Sequence, residues 1–155
     1  MKLIKKYSKY LVPLISLMVC YSVWPTVAAL SAKEIQPIAS AVSTISGVLF
    51  GFVMASITLF ASAKDNTLVK NTILTGHLPR LVNKLHLTMG SLLLVCLIFL
   101  VVLFLPDSLT FEIGQSNSKY RYSSAVALVG IFFLINSFFL FFSSWYSFKE
   151  FAEHM

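Results

Sequence analysis

Residues 85–105 have the sequence LHLTMGSLLLVCLIFLVVLFL, which contains no aspartate, glutamate, lysine or arginine. A helix needs roughly 20 apolar residues to cross the hydrocarbon core of a bilayer, and this run is long enough to do so. Further apolar runs of similar length lie at about residues 10–30, 38–62 and 123–148. The sequence therefore predicts an all-α membrane protein with four transmembrane helices.

The composition agrees with this class and leaves no room for a second domain. Hydrophobic residues make up 57% of the 155 residues and charged residues 12%, which is about half the charged fraction of a soluble domain. The longest polar stretches, residues 63–84 and 106–122, are too short to bury cores of their own. We therefore expect residues 1–155 to form a single four-helix transmembrane domain.

The basic residues are concentrated in two of the segments outside the spans. Eight of the twelve lysines and arginines precede the first span or lie in the middle loop, where they are Lys64, Lys70, Arg80 and Lys84. Loops rich in lysine and arginine stay in the cytoplasm. We predict that both termini and the middle loop are cytoplasmic and that the protein lies in the bacterial inner membrane. The net charge of +6 therefore does not indicate a nucleic-acid partner.

The first apolar run has a second interpretation as a signal peptide, because a basic start precedes it and small residues follow at 27–29. The run is long for the apolar part of a signal peptide, so we expect a retained helix. Pro25 is expected to kink or end this helix, and Gln36 and Pro37 to begin the next one. The short connection predicts that the first two helices pack as antiparallel neighbours.

The middle loop, residues 63–80, carries apolar residues at helical spacing among its lysines. This pattern fits a short amphipathic helix whose lysines face anionic lipid headgroups, so membrane lipid is an expected partner. A solvated basic connector fits the same residues.

The outer loop alternates apolar and polar residues around a glycine and asparagine turn at residues 109–122. This alternation predicts a small β-hairpin that presents Phe111, Tyr120 and Tyr122 near the outer interface. Because an isolated hairpin is marginally stable, the membrane surface or a partner must support it.

Small residues recur every four positions in the second span. This stripe, which includes a GxxxG pair, consists of Ala39, Ser43, Gly47, Gly51 and Ala55. Small residues allow helix backbones to approach closely in lipid. The stripe therefore predicts an interface, either with another span of the same chain or with a second copy in a homo-oligomer.

Several polar side chains also lie within the spans, and we consider them as pore-lining residues. They are Ser40, Thr44, Ser46, Thr58 and Asn136. A polar side chain in lipid is stabilised by a hydrogen-bond partner on another helix. These residues either join helices or line a pore formed by several copies.

Other function classes are disfavoured by what the spans contain. No charged residue lies in the middle of a span, whereas proton-coupled transporters need one there. The two cysteines and three histidines match no metal-ligand spacing, and no nucleophile–base–acid set is evident. We therefore expect a protein that is not an enzyme and that needs no cofactor or metal.

Residues 43–105 resemble the membrane exclusion proteins of temperate phages, the RexB type. The similar features are the STISG entry to the second span at 43–47, ASITLF at 55–60, a basic connector and a third span rich in leucine and valine. Those proteins are small, have four spans and lack a soluble domain. The resemblance implies phage exclusion by ion leakage across the inner membrane.

Two hypotheses for function follow from these features. In the first, the chain self-associates and depolarises the membrane in phage defence when a cytoplasmic partner protein triggers it. In the alternative, it is an immunity or anchoring protein that binds a toxin or another protein within the membrane.

The predicted orientation can be tested by cysteine labelling in intact cells. Cysteine placed at Ser118 should react with a membrane-impermeant reagent from the periplasm, whereas cysteine placed at Asn71 should react only after lysis, because the basic middle loop stays inside. Periplasmic labelling of Asn71→Cys would overturn the orientation.

Overall fold

The protein is described here from a computed structural model, which covers the backbone of residues 2–62, 77–106, 108–112 and 119–153. Within these ranges the chain forms helices α1 to α4 and strands β1 and β2. Their bounds are α1 Lys2–Ala29, α2 Ala32–Ser62, α3 His77–Phe104, β1 Thr110–Glu112, β2 Lys119–Arg121 and α4 Tyr122–Glu153. All four described helices are long and apolar enough to span a membrane, which confirms the predicted architecture of the spans.

The helices run alternately between two ends of the molecule. We call the end that carries β1 and β2 the hairpin end, and the end where α1 begins and α4 finishes the terminal end. The predicted amphipathic helix of the middle loop lies outside the described residues, as do Lys64 and Lys70.

The helices α3 and α4 lie at the centre of the contacts between helices. The helix α4 packs on α1 and on α3, whereas α2 packs mainly on α3. Because a membrane span is surrounded by lipid and by other apolar helices, α4 needs no polar face, and its apolar residues are distributed around its circumference. The contacts therefore run in the order α1, α4, α3, α2.

The expectation that α1 and α2 pack along each other is wrong. Among the described side chains, they share an apolar cluster only near the hairpin end, where Val27 of α1 lies with Ile35 and Ala39 of α2. A second cluster at the terminal end is built around Val53 and Leu92 from α2 and α3. A short connection fixes where two helices meet, but it does not decide which helices pack along their lengths.

The connection between α1 and α2 ends in a helix cap. The backbone N–H of Ser31 donates to the Glu34 carboxylate at 2.8 Å, and the Ser31 hydroxyl donates to the same oxygen at 2.7 Å. Ser31 and Glu34 have the spacing of a capping box, which satisfies backbone donors at the start of a helix. For this reason α2 begins at Ala32, before the predicted start at Gln36. The helix α1 continues past Pro25 to Ala29.

The two strands form a short antiparallel ladder in which Thr110 pairs with Arg121 and Phe111 with Tyr120. The ladder rests on α1, because Arg121 Nη1 donates to the carbonyl oxygen of Leu30 at 2.8 Å and the Trp24 ring lies 5.4 Å from the Tyr120 ring. The end of α1 and the residue that follows it therefore contribute to the support that such short strands need.

Gly130 sets the distance between α3 and α4. A Cβ atom placed on Gly130 would lie 2.8 Å from Cε2 of Phe99 and 3.2 Å from Cγ2 of Ile98. The Phe99 side chain is only 2% exposed, so its ring has little room to move away. The close approach of these two helices therefore depends on the absence of a side chain at residue 130.

We predict that Gly130→Ala destabilises the bundle by about 1–3 kcal/mol, because the added methyl group overpacks a filled site. Gly90→Ala is the matched control, since a Cβ atom at Gly90 meets no atom of the described residues within 4 Å. Thermal unfolding of the detergent-solubilised variants measures the difference. Equal midpoints for the two variants would contradict this role of Gly130.

Candidate functional site

The most distinctive surface of the protein is one side of α2, which we call the α2 face. It is an arc about 80° wide at the 3.6 residues per turn of a helix. Gly47 is partly exposed, and the other members are exposed. The α2 face consists of Ser40, Thr44, Gly47, Gly51, Ala55 and Thr58.

The predicted stripe of small residues divides between the inside and the outside of the bundle. Ala39 is fully buried and Ser43 is 7% exposed, with the Ser43 hydroxyl 3.3 Å from Cys96 Sγ on α3. Gly51 and Ala55 are exposed instead. The division follows from helix geometry, because a step of four residues advances about 40° beyond a full turn. The stripe therefore winds from the α3 contact out to the surface.

The GxxxG pair is not used for packing by the described part of the chain. A Cβ atom placed on Gly47 or on Gly51 would meet no described atom within 4 Å. At Gly130, by contrast, the same test gives a clash with Phe99. The structure therefore brings Gly47 and Gly51 together on an open surface.

Two of the three hydroxyl groups on the α2 face, those of Thr44 and Thr58, are satisfied as donors by their own helix. Thr44 Oγ1 donates to the carbonyl oxygen of Ser40 at 2.9 Å, and Thr58 Oγ1 donates to that of Met54 at 3.0 Å. This internal bonding lets a hydroxyl group lie on a helix surface without another partner. The oxygen keeps acceptor capacity, so the α2 face presents acceptors outward.

The predicted pore-lining residues Asn136 and Ser46 lie elsewhere, in the interior of the bundle. Asn136 Nδ2 donates to Ser16 Oγ at 3.1 Å and to the carbonyl oxygen of Phe132 at 2.7 Å. Ser16 is fully buried, and its hydroxyl donates to the carbonyl oxygen of Val12. The amide therefore joins α4 to α1. Sequence reasoning predicted a partner for Asn136 but did not identify Ser16.

Other buried hydroxyl groups line the contacts of α4 and α2. Thr88 Oγ1 lies 2.9 Å from Ser144 Oγ, which joins α3 to α4. Ser46 is 1% exposed and Ser137 fully buried, and neither hydroxyl has a hydrogen-bond partner among the described residues. These small polar side chains allow close contact between helices in the same way as alanine or glycine.

Four basic residues were predicted to form a cytoplasmic surface. Of these, Arg80 and Lys84 lie in the described part of the chain, and both are exposed on α3 at the terminal end. Lys84 Nζ donates to Ser147 Oγ on α4 at 2.8 Å. In the described part of the chain, no group of three histidine, cysteine or acidic residues is placed to bind a metal ion.

Comparison of the chain with protein-family models, with curated proteins and with solved structures finds no match.

We predict that Asn136→Leu destabilises the protein by about 1 kcal/mol, the usual size of a hydrogen bond between helices in a membrane. Ser16→Ala should cost a similar amount, and the double variant should cost little more than either alone, because the two side chains bond to each other. Unfolding in mixed detergent measures this double-mutant cycle. If the loss of stability in the double variant equals the sum of the losses in the two single variants, the two residues act separately.

Proposed function

We propose that this chain is a non-enzymatic protein of the bacterial inner membrane that self-associates through the α2 face and, when triggered, lets ions leak across the membrane. The single observation that carries this proposal is the open surface around Gly47 and Gly51. The distribution of basic residues supports a cytoplasmic position for both termini and the middle loop.

Self-association is supported by the contrast between two exposed helix surfaces. The exposed surface of α1 carries large apolar side chains, among them Leu14, Leu17 and Met18. Such side chains suit contact with lipid. The α2 face carries glycine, alanine, serine and threonine instead, which are enriched where helices pack in membranes. A second copy of this chain is the partner that we propose for the α2 face.

An ion path is placed between copies, since the interior of one bundle is filled. Leu92, Val95 and Val102 are at most 1% exposed and occupy that interior. Where α2 faces from several copies meet, the acceptor oxygens of Ser40, Thr44 and Thr58 would line the junction. With no charged ring, such a path should select weakly among ions. Asn136 and Ser46 then act in packing within each copy.

The assignment to phage defence is supported by the resemblance of residues 43–105 to the RexB type. In that setting the leak is closed at rest and opens when a cytoplasmic partner favours a conducting arrangement of the helices. A trigger shifts this equilibrium only by as much as it binds one arrangement better than the other. The alternative, an immunity or anchoring protein, would use the same face to bind a different protein.

The test of this proposal begins with association. We predict that Gly47→Leu and Gly51→Leu abolish the oligomer of the wild-type protein, because leucine blocks close approach of the backbones. Gly90→Leu is the control, since Gly90 is also exposed and also has open space around it. The measurement is mass determination in nanodiscs. If the wild type and all three variants have the mass of a single chain, self-association is excluded.

The second arm of the same test separates conduction from association. Thr44→Val with Thr58→Val removes two hydroxyl groups at nearly constant volume, so this variant should keep the oligomer and lower the triggered leak. A membrane-potential dye in cells challenged with phage reports the leak. If the cells remain protected from phage while their membrane potential does not change, the protein acts as a shield or an anchor and not as a channel.

A further inference from the structure

A layer of polar side chains crosses the middle of the bundle and draws on three of the four helices. Each member lies 13–15 residues from the end of its helix at the hairpin end. At 1.5 Å per residue this distance is about 20–23 Å, which is about half the length of the spans of α2 and α4. The members, which we call the middle layer, are Ser16, Ser46, Asn136 and Ser137.

Two members of the middle layer have hydroxyl groups without a hydrogen-bond partner. Ser137 is fully buried and Ser46 is 1% exposed, and no described residue bonds to either hydroxyl group. Asn136 and Ser16, by contrast, bond to each other. A buried hydroxyl group without a partner is costly, and lipid offers it none. Alanine would fill nearly the same space without that cost, so packing alone does not account for these two serines.

Hydroxyl groups elsewhere on the helices differ from these two. Ser56, Thr58 and Ser147 each donate to the carbonyl oxygen four residues earlier in their own helix. The other buried hydroxyl groups that lack a partner among the described residues belong to Ser123 and Ser124, in the first turn of α4 beside the hairpin. Within the described part of the chain, the unpartnered hydroxyl groups near the middle of the spans are therefore confined to the middle layer.

The two helices that carry these serines are held to a third helix more than to each other. Both α2 and α4 pack on α3, and their contact with each other is slight. Gly130 of α4 lies against Phe99 of α3, so Ser137, seven residues further along α4, comes level with Leu92 of the antiparallel α3. Leu92 is fully buried and fills the bundle at this level. A small movement of α2 or α4 away from Leu92 would open space within the middle layer.

We propose that the middle layer binds water in a second arrangement of the helices, and that the packed arrangement described here is its dry state. Water would supply the hydrogen-bond partners that Ser46 and Ser137 lack. Hydration therefore offsets part of the cost of moving apolar side chains such as Leu92 apart. The two hydroxyl groups in this way reduce the free-energy difference between the packed and the hydrated arrangement.

This role deepens the proposed function and, as a regulatory role, rests on it. A trigger shifts an equilibrium between arrangements only by its difference in affinity for them. Because the dry middle layer leaves two hydroxyl groups without partners, a smaller difference in affinity suffices to favour the hydrated arrangement. Water binding itself does not depend on conduction, so it can be measured without a trigger.

The test measures whether water reaches the middle layer of the full chain in nanodiscs. The native cysteines are first removed by Cys20→Ala and Cys96→Ala. A single cysteine is then placed at the position of interest, and its rate of reaction with a small charged methanethiosulfonate is measured. A charged reagent of this kind reacts with a thiol only when water surrounds it.

We predict that Ser46→Cys reacts about tenfold faster than Val53→Cys, a control position on the same helix that is 2% exposed. Ser137→Cys should exceed Ala127→Cys, which is 5% exposed on α4, by a similar factor. A tenfold ratio corresponds to about 1.4 kcal/mol, which is within the range for one unpartnered buried hydroxyl group. Equal rates at the serine and control positions overturn the proposal.

Thermal unfolding provides a second measurement, which does not use cysteine. Ser137→Ala should raise the midpoint by about 2–4 °C, because it removes a hydroxyl group that has no partner. Ser144→Ala is the matched control and should lower the midpoint, because the Ser144 hydroxyl lies 2.9 Å from that of Thr88. A lower midpoint for Ser137→Ala would show that its hydroxyl group has a partner in the packed arrangement, and it would overturn the proposal.

The membrane-potential dye separates this proposal from the proposed function. If the thiols at residues 46 and 137 react faster than their controls while wild-type cells show no leak, the water site stands and the leak is excluded. If wild-type cells leak while these thiols react no faster than their controls, the leak stands and the water site is excluded.

Discussion

Helices in a bilayer have no hydrophobic reason to prefer each other over lipid, and the structure of this protein depends on that constraint. Association must come from close packing and from hydrogen bonds between helices. Each main contact of α4 accordingly contains a small or polar residue. Gly130 brings α4 against Phe99 of α3, and Asn136 bonds to Ser16 of α1. The large apolar residues mainly face lipid, and they identify the spans without determining how the spans pack.

The sequence therefore predicted which segments form the spans, but it did not predict which helices pack against each other. Apolar length alone identifies the four helices, since it is set by the thickness of the bilayer. The packing of α1 on α4 depends on Ser16, which lies in an apolar run and carries no mark that distinguishes it from Ser22. Gly130 is likewise one glycine among several until the neighbouring Phe99 is seen. The capping pair, Ser31 and Glu34, is present in the sequence as a spacing of three residues, which many uncapped positions also have.

Only some residues of the α2 face could be predicted from the sequence, and the reason is geometric. Spacing in fours identified Gly47, Gly51 and Ala55, but an α-helix has 3.6 residues per turn, so the stripe cannot remain on one face. Only the position of α3 shows that Ala39 and Ser43 are covered while the later members are open. The hydroxyl residues Ser40, Thr44 and Thr58, which sequence reasoning placed in a separate set, share the open face with the glycines.

The packing of α1 on α4 also has a consequence for biogenesis. The main partner of α1 is α4, and about 90 residues of chain separate Ala29 from Tyr122. At typical rates of synthesis, α1 waits roughly 5–20 s in the bilayer before α4 arrives. During that interval the Ser16 hydroxyl lacks the Asn136 amide as a partner. The internal bond from Ser16 to the carbonyl oxygen of Val12 satisfies the hydroxyl as a donor in the meantime, and the same oxygen later accepts the amide of Asn136.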